Sequence, residues 1–466
     1  MSTGRAEPRN GQRDFRRRSG VAVLALLLAP LSACSDDVPP PTYSGGGYDD
    51  VATLMQKAVN ARATALRTGD LAKFRRTLDR ADSTLVQDQQ TYFDNLEQLP
   101  VGALRIQVLA DTISPVEGTE LDGEPEYWAE VSVALRLKGY DAAPVITRDR
   151  FLFVSSPDGT RLVVGSTTDY EWEAQHPGNM QPWDLGPVRV ETVPGVLGIF
   201  DDQTDDTSDL VLDMVASGRS DVRAALGPGS ATRGQGVVVY AVSDPAFLDG
   251  LAGQTVGDPD RADGLTIAVP ADAADPSSGV ASYRIFLNPR VLDEKESVVG
   301  RLVRHELTHA LLGARGLGAP LWLNEGLAEF VSVQSMPQSQ RRLPATALDV
   351  GATVTDLPGE EQFGGASAEA WYAVSWWVCE YIASTYGEQV LLLLLDRLEG
   401  GTDQAEALES VLGISSAELA QRGVALMATT YAEPPEPPDP YDGTTDDPSS
   451  DPYTATPEDP ATTLGP

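Results

Sequence analysis

Apolar positions recur at two different periods along this chain, and the change of period divides it. Between residues 49 and 98, Val51, Leu54, Met55, Val59, Leu66, Leu71, Phe74 and Leu78 sit mostly three, four or seven apart. That spacing predicts helices with one buried stripe, and Gly69-Asp70 predicts a break in them. The period then falls to two. Val131, Val133, Leu135 and Leu137 alternate with Ser132, Ala134 and Arg136, as in a strand with one buried and one wet face. Phe151 to Val154 and Leu162 to Val164 predict further strands. Helices followed by a run of strands imply an α+β domain over residues 49–178, with helices packed on a curved antiparallel sheet.

This order of elements is similar to the cone-shaped cystatin-like and nuclear-transport-factor-like folds. Pro and Gly within Gln175 to Leu185 predict a boundary, and a second domain is expected over residues 186–430. Its strand candidates are Val188 to Phe200, Val237 to Val242, Leu265 to Val269 and Tyr283 to Leu287. An apolar stripe through Val298, Val299, Leu302, Val303, Leu307, Ala310 and Leu311 predicts a helix that stops at Gly313. Trp371 to Tyr386 and Val390 to Leu398 read as buried helices.

Both ends of the chain look different from its body. Arg13 and Arg16 to Arg18 form a basic segment ahead of a short apolar run, Val21 to Leu31, the pattern of an export signal. Leu31-Ser32-Ala33-Cys34 follows and resembles a bacterial lipobox, which implies a lipid on Cys34 and a signal peptide over residues 1–34. Residues 35–48 are rich in Pro, Ser, Gly and Asp and read as a flexible tether. Residues 432–466 hold ten prolines, nine acids and no basic residue, a composition that reads as a disordered tail. The localisation expected is a lipid-anchored one on the extracytoplasmic face of a bacterial cell membrane.

Charge narrows the partners. The net charge is −35, which repels nucleic acid and leaves an N-terminal lipid as the expected link to the membrane. Cys34 and Cys379 are the only cysteines, so a lipidated Cys34 leaves no disulfide. Cys379, within Trp376-Trp377-Val378-Cys379, reads as a buried thiol, and His176, beside Pro177-Gly178, as a surface loop residue.

The chemistry concentrates at His305-Glu306-Leu307-Thr308-His309, which contains two of the three histidines in the chain. Four residues make about one helical turn, so both imidazoles project from one face and can grip one metal ion. Glu306 sits roughly 100° round the helix, where its carboxylate reaches a metal-bound water and not the metal. A catalytic zinc generally takes three protein ligands and keeps one open position. Glu325, in Leu321-Trp322-Leu323-Asn324-Glu325-Gly326-Leu327-Ala328-Glu329-Phe330, is the expected third ligand. Glu329, one turn later, would accept the second N–H of His305.

HELTH followed by LWLNEGLAEF resembles the gluzincin metallopeptidases, and in particular compact peptidase-MA-like domains of bacterial surface proteins. The resemblance implies one zinc on His305, His309 and Glu325, Glu306 as general base and Glu329 in support, acting on a peptide or protein substrate. Fifteen residues separate His309 from Glu325, fewer than in the larger aminopeptidases, and no G-x-M-E-N-like segment is present. The resemblance also makes Ile285 to Asn288 an edge strand for substrate, with Asn288 a candidate contact. Tyr372 is the leading candidate for the oxyanion donor, with Tyr381 behind it. A binding scaffold and a zinc hydrolase of non-peptide bonds stand as alternatives.

Overall fold

A computed structural model describes residues 49–116, 126–227, 235–251 and 262–432, and it begins with the expected helices. Helix α1 (Asp49–Arg67) ends just before Gly69-Asp70, where Asp70 caps α2 (Leu71–Arg75) by accepting from the Lys73 amide at 2.9 Å. Asp82 caps α3 (Ser83–Gln98) through the Thr84 and Leu85 amides. Strands β1 (Val101–Val108), β2 (Ser114–Pro115), β3 (Tyr127–Leu137), β4 (Val145–Ser155) and β5 (Leu162–Ser166) then pair antiparallel. Val131, Leu135 and Leu137 turn inward to join Met55, Val59, Phe74 and Phe93 in one buried core.

Gln175 to Leu185 carries the end of α4 (Tyr170–Gln175) and all of α5 (Pro182–Leu185). It is fastened to α3: the Asn95 amide group donates to the Trp183 and Gly186 carbonyls and accepts from the Val188 amide. Val188 to Phe200 is a hairpin, not one strand. Strands β6 (Arg189–Val193) and β7 (Val196–Phe200) turn at Pro194-Gly195. Helix α6 (Ser208–Leu226) then crosses to β8 (Val237–Ala241), parallel to β7, and β9 (Gly264–Asp272) runs antiparallel to β10 (Asp275–Leu287).

Among the described residues all ten strands belong to one mixed sheet, ordered β1-β3-β4-β9-β10-β8-β7-β6 with β2 on β3 and β5 on β4. Within the sheet, β4 meets β9 at a single parallel pair, Ile146 and Asp272, and the Ala142 amide donates to the Ala281 carbonyl beside it. Arg284 of β10 reinforces this junction. Its guanidinium lies 3.3 Å from Asp141 and donates to the Tyr240 hydroxyl at 2.6 Å, all three side chains being buried. From Asp50 onward the described residues form one packed unit.

Each face of the second half of the sheet has its own cover. Leu197, Ile199, Val238, Tyr240 and Phe286 pack into the core of the N-terminal helices. The opposite face carries α6, α7 (Glu296–Leu312), α8 (Ala314–Leu317), α9 (Leu321–Val333), α10 (Ala347–Gly351), α11 (Glu360–Phe363), α12 (Ala368–Tyr386), α13 (Gln389–Glu399), α14 (Gln404–Leu412) and α15 (Ser416–Thr430). The α7 stripe is buried through Val299, Val303, Leu307, Ala310 and Leu311, whereas Val298 is exposed. No helix among the described residues is long and apolar enough to cross a membrane. The signal segment, Cys34, the tether and residues 433–466 lie outside the described residues.

Candidate metal centre

Helices α7 and α9 build the centre between them. The Nε2 atoms of His305 and His309 lie 3.1 Å apart, and Glu325 Oε2 is 3.3 Å from each. Four ligands on a tetrahedral zinc with bonds of about 2.0–2.1 Å are spaced by about 3.3–3.4 Å. The three atoms are therefore already at ligand spacing, and each residue keeps a small accessible fraction, so solvent reaches the centre. Glu325 falls in the second turn of α9, which starts at Leu321. Gly326 lets α9 close on α12, because a Cβ there would stand 2.5 Å from the Ser375 carbonyl oxygen.

A second carboxylate backs the first histidine. Glu329 Oε1 lies 3.2 Å from His305 Nδ1, within ion-pair distance of the ring's other nitrogen. Its Oε2 accepts from Arg301 Nη2 at 2.6 Å, and the Arg301 guanidinium lies over the Trp376 ring. The electrostatics follow from this packing. Burial lowers the His305 pKa, but Glu325 and Glu329 more than reverse it, leaving it well above the ordinary value. His309 is raised on balance in the same way, chiefly by Glu325. Burial opposes ionisation of the two carboxyls, yet the histidines hold Glu325 far down, and His305 with Arg301 brings Glu329 to about 2.

Glu306 is buried beside the centre and is held from β9. Thr266 Oγ1 lies 2.7 Å from Glu306 Oε2 and 2.8 Å from the Glu306 carbonyl oxygen, so its hydroxyl can donate to either. Gly264, two residues earlier, leaves the space the side chain needs. A Cβ there would meet Glu306 Cγ at 3.1 Å and Oε1 at 3.2 Å. Neither residue was expected from the sequence, because nothing local shows that β9 lies across α7.

Tyr372 reaches the centre, its ring 6.3 Å from that of His305 and edge-on to Phe363. Burial and the charges of Glu325, Glu306 and Glu329 push its pKa up, so the phenol stays protonated. Tyr381 instead accepts from Arg422 Nη1 at 2.7 Å and packs on Tyr386. Ile285 to Asn288 is not an edge. Strand β10 pairs with β8 on one side and β9 on the other, and Asn288 caps the turn after it while donating to the Ala262 carbonyl. The edge that borders Glu306 belongs to β9, which among the described residues pairs with β4 only at Asp272. Cys379 is buried, its thiol pKa pushed up by burial. His176 caps α4 and stacks on Trp172 at 4.2 Å.

No protein-family model and no curated protein matches this sequence. Among solved structures, the chain is similar to native yeast LTA4 hydrolase, with 10% identity and a TM-score of 0.30. That similarity covers 71% of this chain and 54% of the yeast protein, so the chain spans about half the length of that structure.

Proposed function

We propose that this chain is a zinc metallopeptidase of the gluzincin type, held at the extracytoplasmic face of a bacterial membrane by a lipid on Cys34. The carrying observation is the set of three ligand atoms at tetrahedral spacing with an unligated, buried Glu306 beside them. A scaffold needs no such base. His305, His309 and Glu325 would hold the ion, and Glu329 would fix the His305 ring so that Nε2 faces it. A bound zinc supplies Lewis acidity, polarising a carbonyl and lowering the pKa of water.

The side chains do the rest. Glu306 accepts a proton from the attacking water and delivers it to the leaving amine. Thr266 keeps the carboxylate turned to the centre. Tyr372, protonated and facing the ligands, donates to the developing oxyanion. A substrate backbone adds to the outer edge of β9 as a further strand, with Gly264 and Thr266 between it and the base. Residues 49–178 form the cystatin-like or nuclear-transport-factor-like accessory part.

The test is cleavage of a diverse peptide library read by mass spectrometry. Zinc-loaded protein is expected to generate new termini, chelation to abolish them and added zinc to restore them. Absence of new termini from zinc-loaded protein contradicts the peptidase reading.

A further inference from the structure

The inward face of β4 breaks its own pattern. Val145, Phe151 and Phe153 on that face are buried and apolar, yet Thr147 and Asp149 between them are polar. Polar residues at inward positions are informative because ordinary core packing has no use for them. Here they line a partly open cleft of about 1000 Å³ bounded by α1, α3, β4 and the 166–187 segment, with exposed Thr84, Asp88 and Tyr170 at its rim. The metal-ligating residues are not among its lining.

Arg62 of α1 forms part of the wall and is 2% exposed. Its Nη2 donates to Gln89, which is itself held by Thr167, but Nε and Nη1 have no partner. No carboxylate pairs with this guanidinium among the described residues, and it rests on the Phe74 ring at 4.5 Å. Orphaned donors on a buried cation are costly to a fold. Burial lowers the Arg62 pKa to about 10, so the group is charged at neutral pH.

We infer that this cleft binds a short peptide, with the peptide's C-terminal carboxylate drawn to Arg62 and its amino end to Asp149 and Asp184. Asp149, Glu173 and Asp184 share the wall, so carboxyl groups are available to the amino end of the same ligand. Tyr92, Phe151, Trp172 and Trp183 supply aromatic surface for side chains, and Gln89 and Thr167 polar groups for amides. The volume lies at the upper end of small-ligand sites, roughly 300–1,000 Å³. Burial raises the pKa of Asp149 well above the ordinary range. Its carboxyl would release a proton on meeting an ammonium group.

Calorimetry with Ala-Phe-Ala and its C-terminal amide tests this, using full-length zinc-loaded protein carrying Glu306→Gln so that peptide is not consumed. The acid is expected to bind one per chain and at least ~10-fold tighter than the amide. Arg62→Met and, separately, Thr147→Trp, which fills the cleft from β4, should each weaken binding at least ~10-fold at unchanged zinc content. If Arg62→Met does not fold, Thr147→Trp decides. Absence of binding, equal affinity for acid and amide, or unchanged affinity in the folded variants each overturns the site. Binding lost on zinc removal alone would place the peptide at the metal centre and overturn it as well.

Discussion

Thr266 Oγ1 lies 2.7 Å from Glu306 Oε2, which ties the candidate base on α7 to the strand beside the metal centre. A side chain held at that distance is turned toward one rotamer before substrate arrives. Orientation of this kind acts on the chemical step more than on binding.

Thr266→Val removes the donor at nearly constant volume. Turnover should fall roughly 10-fold with KM and zinc content little changed, and Thr266→Ser should recover most of it. Steady-state kinetics with a cleavable peptide reads this directly. A rise in KM at constant turnover would assign Thr266 to substrate contact instead.

The Arg301–Glu329–His305 chain should appear in metal affinity. Glu329→Gln and Arg301→Met are each expected to weaken zinc binding about 10- to 100-fold, measured by competition with a chelator, because support of a ligating imidazole contributes that much. His309→Ala, which removes a ligand, should lose nearly all of the metal. Full zinc occupancy in His309→Ala would put the ion elsewhere.

Metal-free protein should show the same cluster through pH. The folded His305 pKa lies above its usual 6.5, so its pairing contributes fully below about pH 6.5 and is lost as pH rises through the folded value. Glu325 is depressed below its usual 4.5, so its contribution is present above about pH 4.5 and lost as pH falls. Glu325→Gln should therefore lower the Tm of chelated protein most between those limits, and less at higher pH. A difference in Tm that stays constant from pH 5 to 9, on the order of the melting error, contradicts the pairing.

Cys34→Ser should move the protein from membranes to the soluble fraction while leaving the melt of the folded part unchanged, since a lipid there would act only as an anchor. Continued membrane fractionation would point to another attachment.

Local chemistry was legible in the sequence, and long-range pairing was not. HELTH and LWLNEGLAEF carry the candidate ligand residues because one helical turn sets their spacing, and the structure brings His305, His309 and Glu325 together. Arg301 could have been read as well, being one turn before His305 on the same helix. Thr266 and Gly264 could not, since their role depends on β9 lying across α7. The misplaced edge at Ile285 to Asn288 has the same origin: alternation identifies a strand but not its neighbours. The strand ladder that joins the two regions has one residue pair, at β4 and β9, which leaves no periodic trace. Asp149 was visible as an inward polar position once Val145 and Phe151 were placed, but its distant counterpart Arg62 needed the packing of α1.

Glu306→Gln tests the central claim most directly. The substitution keeps the size of the side chain and removes its capacity to accept a proton, and Glu306 is not among the three residues grouped to hold a metal. Zinc content and Tm should therefore stay near those of the wild type, while hydrolysis of a peptide library falls by about 10²–10⁴-fold, as expected for loss of a general base. If zinc-loaded wild type cleaves the library no faster than Glu306→Gln, the chain is not a peptidase, and the centre serves a scaffold or another bond.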